Sequence, residues 1–370
     1  LAHIRESLRM FSRAYKKPKR YKGDARHIAK HILDDCWNGT FMQVSAGHFC
    51  AFYCRDFGMI TQSLLSLGHA DKVKKTLSWA LAQFTKAGRV TTTITKDGHA
   101  IDIFDYGVDS LPFLVRSLRQ LNDTDLIKQY ASFIEMQAIR YYYTVWDPAL
   151  KVVRRKTQFS SIKDHYVRDS SCYDNCMVAM LHRELTTLGL DSPFSKVDFH
   201  SIIKKKFWTG THFRDDLKNS YVSADANIFP FYCGVFDVNN DAEIFAAAVL
   251  AMRTEKLDVP FPIKYTAIQH GHQELYLPSI LAPNYEGTAV WMHLGLCYLT
   301  VLCESPAHQE LFLEYMEMYT NLIEKEKNFR EVYTESGTPY RSMSYQSDES
   351  LSWVAIWLFL KLSHTNPNTL

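Results

Sequence analysis

The sequence lacks any run of apolar residues approaching the roughly 20 that a membrane-crossing helix needs; its longest, 294–303 and 353–360, are of core-helix length. It also lacks a charge excess, with 42 Lys plus Arg against 40 Asp plus Glu and a formal net charge of +2. Such a balance gives no long-range attraction for nucleic acid or an anionic membrane, and suits a small polar ligand better. There is no Gly-rich phosphate loop, no Gly-x-Ser-x-Gly elbow and no dinucleotide fingerprint, so nothing points to nucleotide or acyl-enzyme chemistry. The N-terminus shows no signal-peptide pattern. These absences lead to the expectation of a soluble, cytoplasmic protein with neither membrane nor nucleic acid as partner.

Tight cysteine pairs are missing as well. The eight cysteines mostly sit inside apolar helical patterns, as reduced core thiols do. Cys50 with Cys54, and Cys172 with Cys176, are four apart and could share helix faces, but they lack the spacing of zinc knuckles. No metal and no cofactor are expected.

What the chain does have is apolar mass, 46% hydrophobic and 14% aromatic over 370 residues, enough to bury a large core. The one concentrated basic run, KKPKRYK at 16–22, reads as a solvated N-terminal arm, 1–23, ahead of a single domain, 24–370. From 24 onward helical periodicity recurs with almost no strand signal, over 24–37, 55–67, 70–87, 108–121, 124–145 and 173–188. The second half continues it over 195–207, 224–237, 242–254, 287–303, 307–325 and 348–362.

The connections fall into two classes. Short turns at 67–69, 122–123, 238–240 and 304–306 carry Gly, Asn, Asp or Pro, whereas 38–54, 88–107, 146–172, 208–223, 255–286 and 326–347 are long. Helices joined by short turns are antiparallel neighbours, and six such hairpins can close an inner ring of parallel helices inside an outer one. The expected fold is all-α, an (α/α)6 barrel with its long loops at one end, facing the N-termini of the inner helices.

Every second helix has an acid at or near its start: Asp56, Asp109, Asp174, Asp225, Glu286, and Asp348 with Glu349. N-terminal capping explains any one of them. Six converging on one rim beside Trp, Tyr, His and Arg suggest a sugar site, where aromatic faces stack on C–H surfaces and carboxylates accept hydroxyl hydrogen bonds. Hydrolysis needs two further carboxyl groups at the glycosidic bond, roughly 6.5–9.5 Å apart for inversion and about 5–5.5 Å for retention.

Three motifs resemble those of the six-hairpin glycosidases, the clan of glucoamylase, trehalase, processing α-glucosidase and mannosylglycerate hydrolase. Arg55-Asp56, after an aromatic run, resembles the pair that holds hydroxyls of the non-reducing sugar. The stretch 167–174, VRDSSCYD, is similar to the loop that supplies the general acid, which implies Asp169, with Asp174 its competitor and Tyr173 beside it at the substrate. The stretch from Arg330-Glu331-Val332-Tyr333 to Trp353 resembles the base-bearing loop and last helix, so that Glu331 is the general base and Tyr333 a substrate contact. Glu335 and Glu349 are the fallback bases. In NYEGTAVW, 284–291, Tyr285, Glu286 and Trp291 match the clan's entry to its tenth helix and are expected to touch substrate.

The resemblance implies an inverting hydrolase of α-glucosides or related small hexosides. A sugar epimerase on the same barrel would instead use paired histidines, here His270 and His272 of QHGH, which otherwise would bind hydroxyls. A non-catalytic carbohydrate-binding protein is the remaining rival.

Overall fold

The computed structural model describes residues 8, 9, 12, 17–103 and 105–365. The helices of the first half are α1 (Ala25–Cys36), α2 (Cys54–Ser66), α3 (Ala70–Ala87), α4 (Ser110–Leu121), α5 (Thr124–Val145) and α6 (Cys172–Thr187). Those of the second are α7 (Phe199–Phe207), α8 (Ala224–Tyr232), α9 (Ala242–Thr254), α10 (Tyr276–Leu281), α11 (Met292–Leu302), α12 (Gln309–Glu326) and α13 (Val354–Thr365).

Helices α2, α4, α6, α8, α11 and α13 each pack on the next, and α13 packs back on α2, closing a cycle. The others, except α10, flank this cycle, each against one or two of its members. Burial follows the same division. All of α8 and nearly all of α11 are buried, whereas α1, α3 and α5 bury one stripe each. Close approach within the cycle requires Gly58 of α2, where a Cβ would sit 2.5 Å from the Cβ of Phe113 on α4.

Several boundaries differ from the periodicity. Helix α8 stops at Tyr232 rather than 237, because Gly234 turns the chain at φ +64° and the Val235 and Phe236 amides fold back to the Pro230 carbonyl. Helix α11 begins at Met292, since Val290–Trp291 is a strand, and α13 begins at Val354, since Glu349 and Leu351 make β-bridges to Arg330 and Ser45. Helix α10 was not expected; it lies inside the long 255–286 connection.

The long connections precede the cyclic helices and carry two-residue strands, some of which pair within one connection and others between two. These are β1 (Phe52–Tyr53), β2 (Thr93–Ile94) and β3 (Ala100–Ile101) in one antiparallel sheet, β4 (Trp146–Asp147) with β5 (Val152–Val153), and β6 (Val290–Trp291) with β7 (Val332–Tyr333). The β6–β7 pair brings the loop that carries Glu331 to the start of α11, where the Met292 amide donates to the Glu331 carbonyl at 3.1 Å.

The basic stretch is not uniformly solvated. The Lys19 amide donates to the Glu349 carboxylate at 3.0 Å, the Lys19 carbonyl accepts from Asn328 at 2.8 Å, and Tyr21 is buried against Ser350 and Asp35. Glu349 is thereby committed to fastening this segment. No helix among the described residues is long and apolar enough to cross a membrane.

Candidate active site

A cavity of about 860 Å³ opens among the long loops at the starts of the cyclic helices. Its lining includes Arg55, Asp56, Asp109, Asp164, Glu286 and Glu331, with Tyr285, Trp291, His293 and Trp353 among the rings.

Glu331 is only 2% exposed. Its Oε1 accepts the Tyr285 hydroxyl at 2.6 Å; its Oε2 accepts the Tyr345 hydroxyl at 2.6 Å and the Asp348 amide at 2.9 Å. Burial pushes its pKa up to about 7, against the pull of those three donors. The Tyr345 hydroxyl also lies 3.2 Å from Nε2 of His48, whose Nδ1 is 3.3 Å from Asp348. Asp348 accepts from the amides of His48 and Phe49, so its role is to hold the 45–49 loop rather than to start a helix.

At the start of α2, the Arg55 guanidinium donates to the Ser161 carbonyl at 2.6 Å and to Asp109 Oδ2 at 3.2 Å. The same Asp109 oxygen accepts the Tyr173 hydroxyl at 2.9 Å, and burial pushes this carboxyl up to about 6 despite Arg55. Asp56 accepts the Trp353 indole N–H at 2.9 Å and is likewise raised by burial. Asp109 does not cap its helix with its side chain, and Asp56 lies in the first turn, past the N-cap Tyr53.

Asp164, half-buried on the cavity wall, accepts the Ser160 hydroxyl at 2.6 Å and the Ser161 amide at 3.0 Å, both on Oδ1. Its charge contributes to raising Asp56, Asp109 and Glu286. The two oxygens of Glu286 accept the amides of Asp164 and His165 at 3.0 and 2.7 Å. Tyr285 and Glu286, consecutive in sequence, therefore hold Glu331 with one side chain and the Asp164 loop with the other. The His165 ring stacks on Tyr285 with centroids 5.5 Å apart.

Of the expected residues, Arg55, Asp56, Tyr285, Glu286, Trp291 and Glu331 meet in this cavity. Asp169 does not line it. Its carboxylate is gripped by both ends of the Arg155 guanidinium, which hold its pKa below the usual range. Asp174 is buried beside the wall, accepting from Ser161, and Tyr173 supports Asp109 from beneath. His270 stacks on Tyr221 at 3.6 Å and His272 reaches Asn219, both away from the lining. Tyr333 is buried in β7 against Phe261, and Glu335 is exposed.

No family model matches the sequence, and no curated protein matches it in sequence. Solved structures do match in fold. A wild-type glycosidase matches at TM-score 0.64 and 13% identity over 97% of both chains. The GH63 mannosylglycerate hydrolase from Thermus thermophilus, solved with Tris, matches at TM-score 0.63 and 11% identity over 91% of this chain and 100% of that one. The chain shares its fold with glycosidases. A third glycosidase, a rhamnosidase from Klebsiella oxytoca with rhamnose bound, matches at TM-score 0.63 and 14% identity over 95% of this chain and 67% of that one.

Within this glycosidase fold, sequence reasoning passed over Asp164, His165, His293 and Tyr345. The signal for Asp164 was slight: SSIKDH has no periodicity, and only the Glu286 clamp places it. Tyr345 sat in the stretch that carries Glu331, and its reach to that carboxyl needs the turn between them.

Proposed function

We propose that the closed cycle and its flanking helices form an (α/α)6 barrel of six hairpins within a single domain, 24–370, acting as an inverting glycoside hydrolase on α-glucosides or related small hexosides. The observation that carries this reading is Glu331: a buried carboxyl, held by two tyrosine hydroxyls and an amide, in a cavity shared with Asp164.

Glu331 is the general base. Ionised, it takes a proton from the attacking water as that oxygen bonds to the anomeric carbon. Asp164, from the middle loop, is the general acid in place of Asp169: it gives its proton to the glycosidic oxygen as the carbon–oxygen bond breaks. Arg55, Asp56 and Asp109 orient the hydroxyls of the non-reducing sugar, and Trp291 and Trp353 face its C–H surfaces. The experiment is a screen of α-glucosides, mannosides and rhamnosides with the product anomer followed by NMR. Inverted anomer is expected, with Asp164→Asn and Glu331→Gln each losing roughly 10²–10⁴-fold in kcat and Asp169→Asn staying close to wild type. A retained anomer, or an Asp169→Asn loss as large as that of Asp164→Asn, overturns the assignment.

A second reading, a sugar epimerase, rests on His165 and His293, which both line the cavity. It predicts solvent deuterium incorporation at a sugar carbon, abolished by His293→Gln, with no hydrolysis.

A further inference from the structure

The cavity has two chemically different ends. Most of its charged groups are withdrawn from solvent: Asp56, Asp109, Glu286 and Glu331 are each at most 5% exposed, Asp164 is half-buried, and Arg55 is occupied by Asp109 and the Ser161 carbonyl. The fully exposed residues of its described lining are apolar, Leu8 and Leu277 at 64% and Leu281 at 46% exposure, with Phe49 and Ile103 half-buried beside them. Leu277 and Leu281 are four apart on α10 and so share one face of that helix. On the same helix Tyr276 and Ile280 are also exposed, and Met343 stands almost fully in solvent across from it. Exposed apolar surface gathered around an opening marks a binding surface rather than a folding need.

This rim is fastened to the base. The hydroxyls of Ser342 and Ser344 both donate to the Leu281 carbonyl at 2.7 Å, and Tyr340 donates to the Pro283 carbonyl at 2.7 Å. The short loop 340–345 thus ties the end of α10 to Tyr345, which holds Glu331. At about 860 Å³ the cavity falls within the roughly 300–1,000 Å³ that encloses a drug-sized ligand, more than one hexose.

We infer that the leaving group is apolar, an alkyl or aryl aglycone seated on Leu277 and Leu281, rather than a second sugar or a carboxylate such as glycerate. The inference rests on the hydrolase reading above and specifies its substrate. A second sugar would meet few polar partners at this rim. An anionic aglycone would enter a cavity whose described lining carries five carboxyl groups against the single guanidinium of Arg55.

The test is a series of methyl, butyl and hexyl α-glycosides in the gluco, manno and rhamno configurations, each kept below its micelle concentration, with glucosylglycerate and maltose as comparators. Turnover is followed by kcat/KM and binding to the wild-type protein by calorimetry. Expected is a rise of up to about fourfold per methylene added, with the hexyl compound at least tenfold above glucosylglycerate and maltose. The double variant Leu277→Ser/Leu281→Ser should reduce the hexyl-to-methyl ratio at least tenfold. Turnover that is flat along the series, or fastest on glucosylglycerate or maltose, overturns the inference and leaves the hydrolase reading standing. If no glycoside is cleaved the hydrolase reading fails, and calorimetry then decides the apolar subsite: affinity that does not tighten from methyl to hexyl overturns it. Dimerisation that Leu277→Asp dissolves, with an unchanged series, would assign the rim to a second copy of the chain and overturn it too.

Discussion

The starts of the flanking helices and the starts of the cyclic ones use the same residue type for opposite ends. On α1, α5 and α7 the carboxylates of Asp24, Asp123 and Asp198 turn back to accept their own helix's N–H groups, as N-caps do. On α2 and α4 Asp56 and Asp109 lie at the helix starts without being side-chain N-caps, and their carboxyls take Trp353, Arg55 and Tyr173 as partners at the cavity wall. The first group has lowered pKa values, with Asp24 and Asp198 in solvent and Asp123 half-buried against Lys74; the second is buried with raised ones. An acid at a helix start is thus ambiguous by position alone. Whether it caps or waits for a ligand is set by which side of the ring the helix start faces.

That contrast can be broken most directly by exchanging roles. Asp56→Asn keeps the acceptor for the Trp353 indole but removes the charge, so kcat/KM should fall roughly 10- to 100-fold, the worth of a charged hydrogen bond to substrate, without any lowering of the urea midpoint. Asp123→Ala should do the reverse, lowering the unfolding midpoint by a few degrees while steady-state kinetics stay at wild type. Loss of activity from Asp123→Ala, or collapse of stability from Asp56→Asn, would erase the distinction.

A finer test concerns the carboxyl held by tyrosines. With Glu331 near 7, kcat/KM should fall below that pH as the base takes up a proton. Tyr345→Phe removes a donor to the ionised form, so the acid limb should move upward by about one pH unit, read from the pH–rate profile. A downward move would mean that Tyr345 favours the protonated acid.

The smallest effect is on stability. Glu331 has a folded pKa above its unfolded value, so its contribution is fully favourable below about 4.5 and is lost as pH rises through about 7. The loss is on the order of 3 kcal/mol in all, and Asp56, Asp109 and Glu286 act in the same direction. Glu331→Gln should therefore unfold at a higher urea concentration than wild type at pH 8, and the gap should narrow at pH 5.

The alternation of short turns and long loops was legible because helical periodicity survives in any long segment, and 70–87 and 124–145 agree with α3 and α5 residue for residue. Helix α10 was not, since six residues, YLPSIL, carry no period. Glu331 stood out because aromatic and Gly/Pro-rich sequence between two strong helices has few structural uses. Asp164 and Asp169 are indistinguishable by composition; Arg155 claims one and Glu286 presents the other, and neither partner is near in sequence.

Tyr285 and Glu286 have one consequence beyond holding their partners. Because a single peptide unit carries both supports, a shift at this point displaces the Glu331 carboxyl and the Asp164 loop together, against the Tyr345 and Asp348 contacts that hold the one and the Ser160 and Ser161 contacts that hold the other. Inserting one glycine between them should detune the chemistry while leaving the helical frame able to fold.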